Sequence, residues 1–222
     1  MPQKVQRVKG VNDILPQEAR QWQALEHIVK QVMDRYAFGE IRPPIFEKTE
    51  LFARGVGEDT DIVSKEMYSF SDMSKSSLTL RPELTAGVVR SYIQNNLQQI
   101  SPVQKLWYEG PMFRQERPQK GRYRQFWQFG AEAIGSPNPE QDAEMIALFY
   151  TILKELGIES SVTLKINSVG DGESRALYRS SLQEYLRPHL SLLSETSQKR
   201  FESNPLRILD SKAPSDKELV RD

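Results

Sequence analysis

Residues 105–114 and 125–134 constrain the fold more than any other part of this chain. Both runs alternate in polarity and are rich in aromatic side chains, the pattern of strands with a face against a core. A very polar loop separates them, so the pair reads as a hairpin with a charged tip. In the second run, alternation puts Trp127, Phe129, Ala131 and Ala133 on one face, and this apolar set is expected to be core. Phe126, Gln128, Gly130 and Glu132 fall on the other face. That face carries an aromatic, an amide, a gap and a carboxylate, and the gap at Gly130 is expected to leave room for a small ligand. A buried carboxylate without a partner is costly, so Glu132 needs a donor, supplied either by a loop arginine or by a polar ligand.

The loop is strongly basic. Arg114, Arg117, Lys120, Arg122 and Arg124 face a single acid, Glu116. The whole chain has 30 basic and 30 acidic side chains and no net charge, so this cluster is a local anion site rather than part of a general polycation. One reading is a solvated hairpin tip. The other is that flanking strands fix the loop so that Arg114 and Arg122 converge as planar forks on a polyphosphate.

The rest of the chain supplies helices and further short strands. Trp22, Leu25, Ile28, Val29, Val32, Met33 and Tyr36 recur at helical spacing and predict a helix over 17–36, after Pro16 and before Gly39. Residues 41–47 contain two prolines and read as an extended edge, or a strand starting after Pro44. Short strands are expected at 67–70 and 78–81, with their turn between them. Pro82 suits the first position of a helix, which puts Glu83 in its first turn. Asn138 and Pro139 open another helix with a core face of Ile146, Phe149, Tyr150, Leu153 and Leu156, closed by Gly157. Val162, Leu164 and Ile166 alternate as one more strand, and residues 173–201 are helical in tone. Hairpins with irregularly interspersed helices predict an α+β fold, an antiparallel sheet flanked by helices.

Several chemistries are excluded or set aside. Without cysteine there is no disulfide framework, thiolate zinc site or cysteine nucleophile. His27 and His189 have no metal-ligand spacing, so no metal site is expected. Gly170-Asp-Gly172 lacks the third glycine of a dinucleotide loop, because Arg175 stands there, and it reads as a turn. Met73-Ser-Lys-Ser76 mimics the lysine loop of class I aminoacyl-tRNA synthetases but falls in a hairpin turn, without the companion His-x-Gly-His. No apolar run is long enough to span a bilayer, and the polar start is unlike a signal peptide, which makes the cytoplasm the expected compartment.

Two carboxylates, Glu83 and Glu132, and the amide of Gln128 thus accompany a multi-arginine loop. The bland account of Glu83 is its favourable interaction with a helix dipole, worth about 0.3–1 kcal/mol. The joint account is a zwitterionic or cationic small molecule meeting a nucleotide, with arginines stabilising charge at the α-phosphate.

The wording of these stretches is specific. Phe113-Arg-Gln-Glu116, the basic loop and Gly121-Arg-Tyr-Arg-Gln-Phe126 resemble motif 2 of class II aminoacyl-tRNA synthetases, in the form found in the histidyl-tRNA synthetase family. Lys9-Gly-Val-Asn-Asp-Ile-Leu-Pro16 is similar to that family's opening. Residues 41–47 with Leu51-Phe52 resemble motif 1, with Pro44 as its proline. Leu80-Arg-Pro-Glu-Leu-Thr-Ala-Gly87 resembles the histidine-binding segment, and Asn204-Pro-Leu-Arg-Ile-Leu-Asp-Ser211 a later landmark.

The resemblance implies a class II catalytic domain, here incomplete over 1–222, and the role of a histidine–tRNA ligase. Arg114 would bind the α-phosphate and the reacting carboxylate, and Arg122 the distal phosphates of a bent ATP. Glu116 would lie near the adenine and Phe126 would stack on it. Glu83, Thr85 and Gln128 would hold the α-amino end of histidine, and Glu132 would accept from its imidazole. Arg117 and Gln119 would approach the acceptor end of tRNA(His). Mg2+ would accompany ATP, and motif 1 implies a homodimer. The family's later histidine-binding segment, motif 3 and anticodon-binding domain fall beyond residue 222, so the isolated chain is expected to activate histidine poorly. The rival reading is a synthetase-like regulatory subunit of ATP phosphoribosyltransferase, which binds histidine without charging tRNA.

Overall fold

The computed structural model describes residues 5–56, 60, 62–168 and 170–220. They divide into two compact units, Met1–Val162 and Thr163–Asp222.

The first unit is organised by the long hairpin. Strands β5 (Gln104–Phe113) and β6 (Gln125–Ile134) pair antiparallel from Gln104↔Ile134 to Phe113↔Gln125. The short β1 (Gly39–Glu40) joins the outer side of β5 in parallel, giving the order β1-β5-β6. The expected antiparallel sheet flanked by helices is thus present, with one short parallel strand added at its edge. Alternation then sends the two faces of β5 to different cores. Trp107 enters a cluster with Val29, Val32 and Met33 of α1 (Pro16–Arg35), Phe38, and Leu148 and Ile152 of α4 (Pro139–Glu155). Leu106, Tyr108 and Met112 enter a second cluster with Leu84 and Val88.

The α1 face is the one read from the spacing. The α4 face is rotated from its expected position. Met145, Leu148, Ile152 and Leu156 face the sheet, whereas Phe149 and Tyr150 are 37% and 47% exposed. The sheet selects the narrower stripe and leaves the aromatic flank to solvent, with Phe149 stacked at 6.2 Å on Phe129. Gly157 ends α4 in a left-handed conformation (φ +69°), which lets Ile158 donate back to the Leu153 carbonyl at 3.0 Å.

A second small sheet has the order β2-β4-β3, all antiparallel, from β2 (Phe46–Lys48), β3 (Tyr68–Ser71) and β4 (Ser77–Leu80). Helix α2 (Thr49–Val56) and a π-helical turn (Ile62–Glu66) lie between β2 and β3; neither was legible as an element in the sequence. Arg81, only 6% exposed, ties these parts together. Its guanidinium donates to the carbonyls of Pro111 at 2.9 Å and Pro43 at 2.8 Å. Prolines cannot donate, but their carbonyls remain acceptors, so a buried cation satisfies what the proline-rich segment leaves open.

Helix α3 (Thr85–Gln94) starts later than expected. Its first i→i+4 bond runs from Val88 N to Leu84 O at 2.9 Å, and Pro82 lies upstream with its carbonyl accepting from Arg114 at 3.0 Å. Glu83 therefore precedes the helix rather than lying in its first turn, and accepts the Ala86 N–H at 3.1 Å.

In the second unit, α5 (Gly172–Leu186), a 3-10 segment (Arg187–Leu192), α6 (Glu195–Ser203), α7 (Leu206–Leu209) and α8 (Pro214–Leu219) enclose Leu182, Leu186, Leu193, Phe201 and Ile208. Gly170-Asp-Gly172 is a turn whose Asp171 side chain caps α5 by accepting from Ser174 N at 2.7 Å. The strand expected around Val162, Leu164 and Ile166 does not form. These side chains are 43%, 58% and 76% exposed, and no described strand pairs with them. Alternation marks a segment fit for a sheet, but a strand exists only where a neighbour supplies the ladder.

Candidate active site

The site is built on the face of the hairpin that carries the α3 cluster. At its open end, Arg114 follows β5 and its Nε donates to Pro82 O at 3.0 Å. Its guanidinium carbon lies 5.0 Å from the Phe126 ring centroid, so ring and cation hold each other in place. The Arg114 Nη groups donate to no described residue. The Pro82 bond also fixes Arg114 beside the start of the Glu83–Thr85 segment.

The loop is pinned at its base. Arg114 N donates to Arg124 O at 3.0 Å, and Gln115 N to Glu66 O at 2.7 Å. At the tip, Gln119 and Arg122 exchange backbone hydrogen bonds at 3.2 and 2.9 Å, with Gly121 turning the chain at φ +81°. Arg117, Gln119 and Arg122 are exposed there. Arg122 Nη1 lies 3.6 Å from Glu116 Oε2, which is buried and accepts no hydrogen bond. Arg114, Glu116, Arg122 and Phe126 line one cavity of about 630 Å3 with Glu66, Gly121, Tyr123 and Trp127. Trp127, expected in the core, is 39% exposed at this edge and packs on Trp22 at 5.7 Å.

Deeper along β6, Glu132 Oε1 accepts from Thr85 Oγ1 at 2.8 Å and from Tyr108 Oη at 3.3 Å. Glu132 thus takes donors from Thr85 and Tyr108 rather than from a loop arginine. Gly130 corrects a second expectation. Its notch is filled, because a Cβ there would overlap the Tyr108 hydroxyl and come within 2.8 Å of ring Cε2. Tyr108 and Gly130 are direct cross-strand partners, so the glycine exists for the tyrosine ring. Burial, together with the charges of Glu132 and Glu83, pushes the Tyr108 phenol up to about 12, against a smaller opposing pull from the Thr85 hydrogen bond. Gln128 is exposed on the same face, opposite Gly110.

The structure therefore brings Arg114, Glu116, Arg122 and Phe126 together around one cavity, and Thr85, Glu132 and Tyr108 into one hydrogen-bonded group. Glu83 borders a separate groove of about 1280 Å3 that Thr85 also lines. Tyr108 escaped the sequence reading. The only available signal was a tyrosine opposite a glycine, and that needs the register to be known. Also unforeseen was the N-terminal segment, whose Gly10 carbonyl accepts from Arg124 N at 2.7 Å beneath the loop. No cluster of three or more His, Asp or Glu side chains suited to a metal occurs among the described residues.

Comparison with known proteins adds an independent line. Residues 10–180 match the family model described as histidyl-tRNA synthetase. The chain is 55% identical over 218 residues to the histidine–tRNA ligase of Chloroherpeton thalassium, covering 98% of this chain and 51% of that protein. It is 56% identical to the enzyme of that name from Thermosynechococcus vestitus, with the same coverage. The apo S. aureus histidyl-tRNA synthetase structure superposes with a TM-score of 0.72 at 38% identity, over 98% of this chain and 54% of that one. A Bacillus halodurans structure titled as an ATP phosphoribosyltransferase regulatory subunit/histidyl-tRNA synthetase reaches a TM-score of 0.64 at 22% identity, which shows a shared fold. The chain spans about half the length of the curated relatives it matches.

Proposed function

This chain belongs to the histidyl-tRNA synthetase family, and from that premise we propose that it carries the ATP- and histidine-holding part of a histidine–tRNA ligase. The reaction is activation of histidine to histidyl-adenylate, followed by transfer to tRNA(His). A carboxylate oxygen of histidine attacks the α-phosphorus of ATP. The bond to the bridging oxygen of pyrophosphate breaks, and pyrophosphate leaves. Positive charge held at the α-phosphate is the main requirement of that step, and loss of one such donor typically costs about 10²–10³ in rate.

The observation that carries this reading is the orphaned acceptor beside the arginine pair. Glu116 Oε2 is buried without a hydrogen bond, in the cavity that Arg114, Arg122 and Phe126 also line. A purine amino group supplies the missing donor, while its ring lies on Phe126. The free Nη groups of Arg114 then take the α-phosphate and the reacting carboxylate, and Arg122 takes the distal phosphates. Mg2+ arrives with ATP as part of the substrate. Glu132 accepts from the imidazole, and Glu83, Thr85 and Gln128 take the α-amino end. In the free chain, Thr85 already donates to Glu132, so its part in amino recognition is through its oxygen as acceptor. Arg117 and Gln119, exposed at the loop tip, meet the acceptor end of tRNA. Exposed Ile45, Phe46 and Phe70 near the motif 1 segment support pairing of two copies there. The cytoplasm is the compartment this role requires; no described helix is long and apolar enough to cross a membrane.

The test separates the two ligands. Glu132→Gln should weaken binding of L-histidine more than of ATP, and Arg122→Ala should do the reverse, in titrations of the purified chain. Equal losses for both ligands would defeat the assignment. The regulatory-subunit reading predicts histidine binding with no response of the basic loop to ATP.

A further inference from the structure

The proposed chemistry gives no task to Tyr108, a buried hydroxyl 3.3 Å from the carboxylate assigned to the imidazole. Two donors, Thr85 Oγ1 and Tyr108 Oη, converge on the same oxygen, Glu132 Oε1. The other oxygen, Oε2, accepts from no described residue. A carboxylate with both oxygens free samples several rotamers and accepts from donors of many geometries. One whose first oxygen is held from a fixed side presents its second oxygen in one fixed orientation.

The fixing side is rigid. Tyr108 is 7% exposed, its ring belongs to the cluster of Leu84, Val88, Leu106 and Met112, and it fills the notch at Gly130. Because any Cβ at position 130 would overlap the ring, the glycine keeps the phenol aimed at Glu132. The flexible Glu132 side chain is therefore held by a group with almost no freedom of its own.

We propose that Tyr108 is a positioning residue that, with Thr85, locks Glu132 so that only its Oε2 faces the ligand, making the pocket selective for an amino acid with one correctly placed side-chain N–H. This deepens the histidine reading and rests on it. The chemistry favours an imidazole over an amide or an ammonium. A ring N–H is a single donor of fixed direction, which matches a single fixed acceptor. An ammonium gains most from a carboxylate with both oxygens open.

The test is a double-mutant cycle on L-histidine binding to the purified chain, followed by heteronuclear NMR with Tyr108→Phe, Glu132→Gln and the double variant. Tyr108→Phe keeps the ring and removes one hydrogen bond to a charged group, so histidine should bind about fivefold more weakly. Because Tyr108 acts through Glu132, adding Tyr108→Phe to Glu132→Gln should cost nothing further. ATP-induced shifts in the basic loop should be unchanged in Tyr108→Phe. Gly130→Ala, whose Cβ would overlap the Tyr108 hydroxyl and push the phenol off Glu132, should weaken histidine binding at least as much. An additive cycle, or an unchanged affinity in Tyr108→Phe, overturns the positioning role while leaving the histidine reading intact. A parent chain that responds to ATP but not to L-histidine overturns both. If a variant loses the dispersed spectrum of the parent, the cycle is completed with Tyr108→Leu and the same additivity decides.

Discussion

Gly10 underlies the basic loop proposed to bind ATP, and its replacement by alanine tests whether the N-terminal segment holds that loop. Gly10 has φ +87°, where an alanine costs about 1–2 kcal/mol. A Cβ there would also lie 2.8 Å from Pro118 Cγ, closer than real contacts come, and 3.1 Å from Arg124 Cγ, where the side chain must give. The chain has two responses. It keeps the segment in place and absorbs the strain, or it releases the segment. Release strips the Arg124 N–H of its 2.7 Å bond to Gly10 O, at about 1–3 kcal/mol for a donor left without a partner. It also frees the Arg124 guanidinium, whose Nε donates to Glu116 O at 3.3 Å and whose Nη1 donates to Lys9 O at 3.4 Å. Either route costs a similar amount, so the released state should gain about 1–2 kcal/mol, or roughly a 5–30-fold rise in population. Hydrogen exchange at residues 113–126 should accelerate by that factor. ATP should bind several-fold more weakly, and L-histidine, whose proposed partners lie farther along β6, should be almost unaffected. Unchanged protection of the Arg124 and Gln125 amides together with unchanged ATP affinity would refute the clasp.

Three further outcomes follow from the same contacts. In the second unit, burial pushes the Asp216 carboxyl up, but hydrogen bonds from Ser197, Ser211 and Ser194 outweigh it and hold it down at about 2. Since the folded value lies below the ordinary 3.8, this stabilisation is complete above about pH 4 and is lost as pH falls toward 2. It amounts to roughly 2 kcal/mol, and Asp216→Asn should abolish that acid limb in a circular-dichroism titration. Arg81→Met removes the donors to Pro43 O and Pro111 O and should cost about 3 kcal/mol in urea unfolding; a loss below about 1 kcal/mol would show that the carbonyls find other partners. Phe126→Ala removes both the ring under Arg114 and the proposed platform for adenine. ATP affinity should fall about tenfold while inorganic pyrophosphate is affected much less, because a base–aromatic stack is worth about 1–3 kcal/mol.

Patterns that repeat along the chain could be read without any knowledge of its contacts. The α1 stripe, the β5–β6 hairpin with its basic tip, and the helix-opening Asn138-Pro139 are local patterns, and each lies where the spacing put it. Arg114 and Arg122 could be paired for the same reason, since both flank one hairpin loop, whereas Glu116 and Phe126 were placed with them only through the family resemblance; all four line one cavity. Contacts between elements decided the rest. The α4 face turned because the sheet it meets accepts Leu148 and Ile152 rather than Phe149 and Tyr150. Val162, Leu164 and Ile166 alternate like a strand but have no described partner, and pairing is a property of two segments. Glu83 moved ahead of α3 because Arg114, far along the chain, claimed the Pro82 carbonyl. The meaning of Gly130 changed most. In one strand it reads as a gap for a ligand, and only the register Tyr108↔Gly130 shows that a neighbouring ring fills it. Periodicity reports which side chains share a face; what meets that face is set by packing against residues distant in sequence.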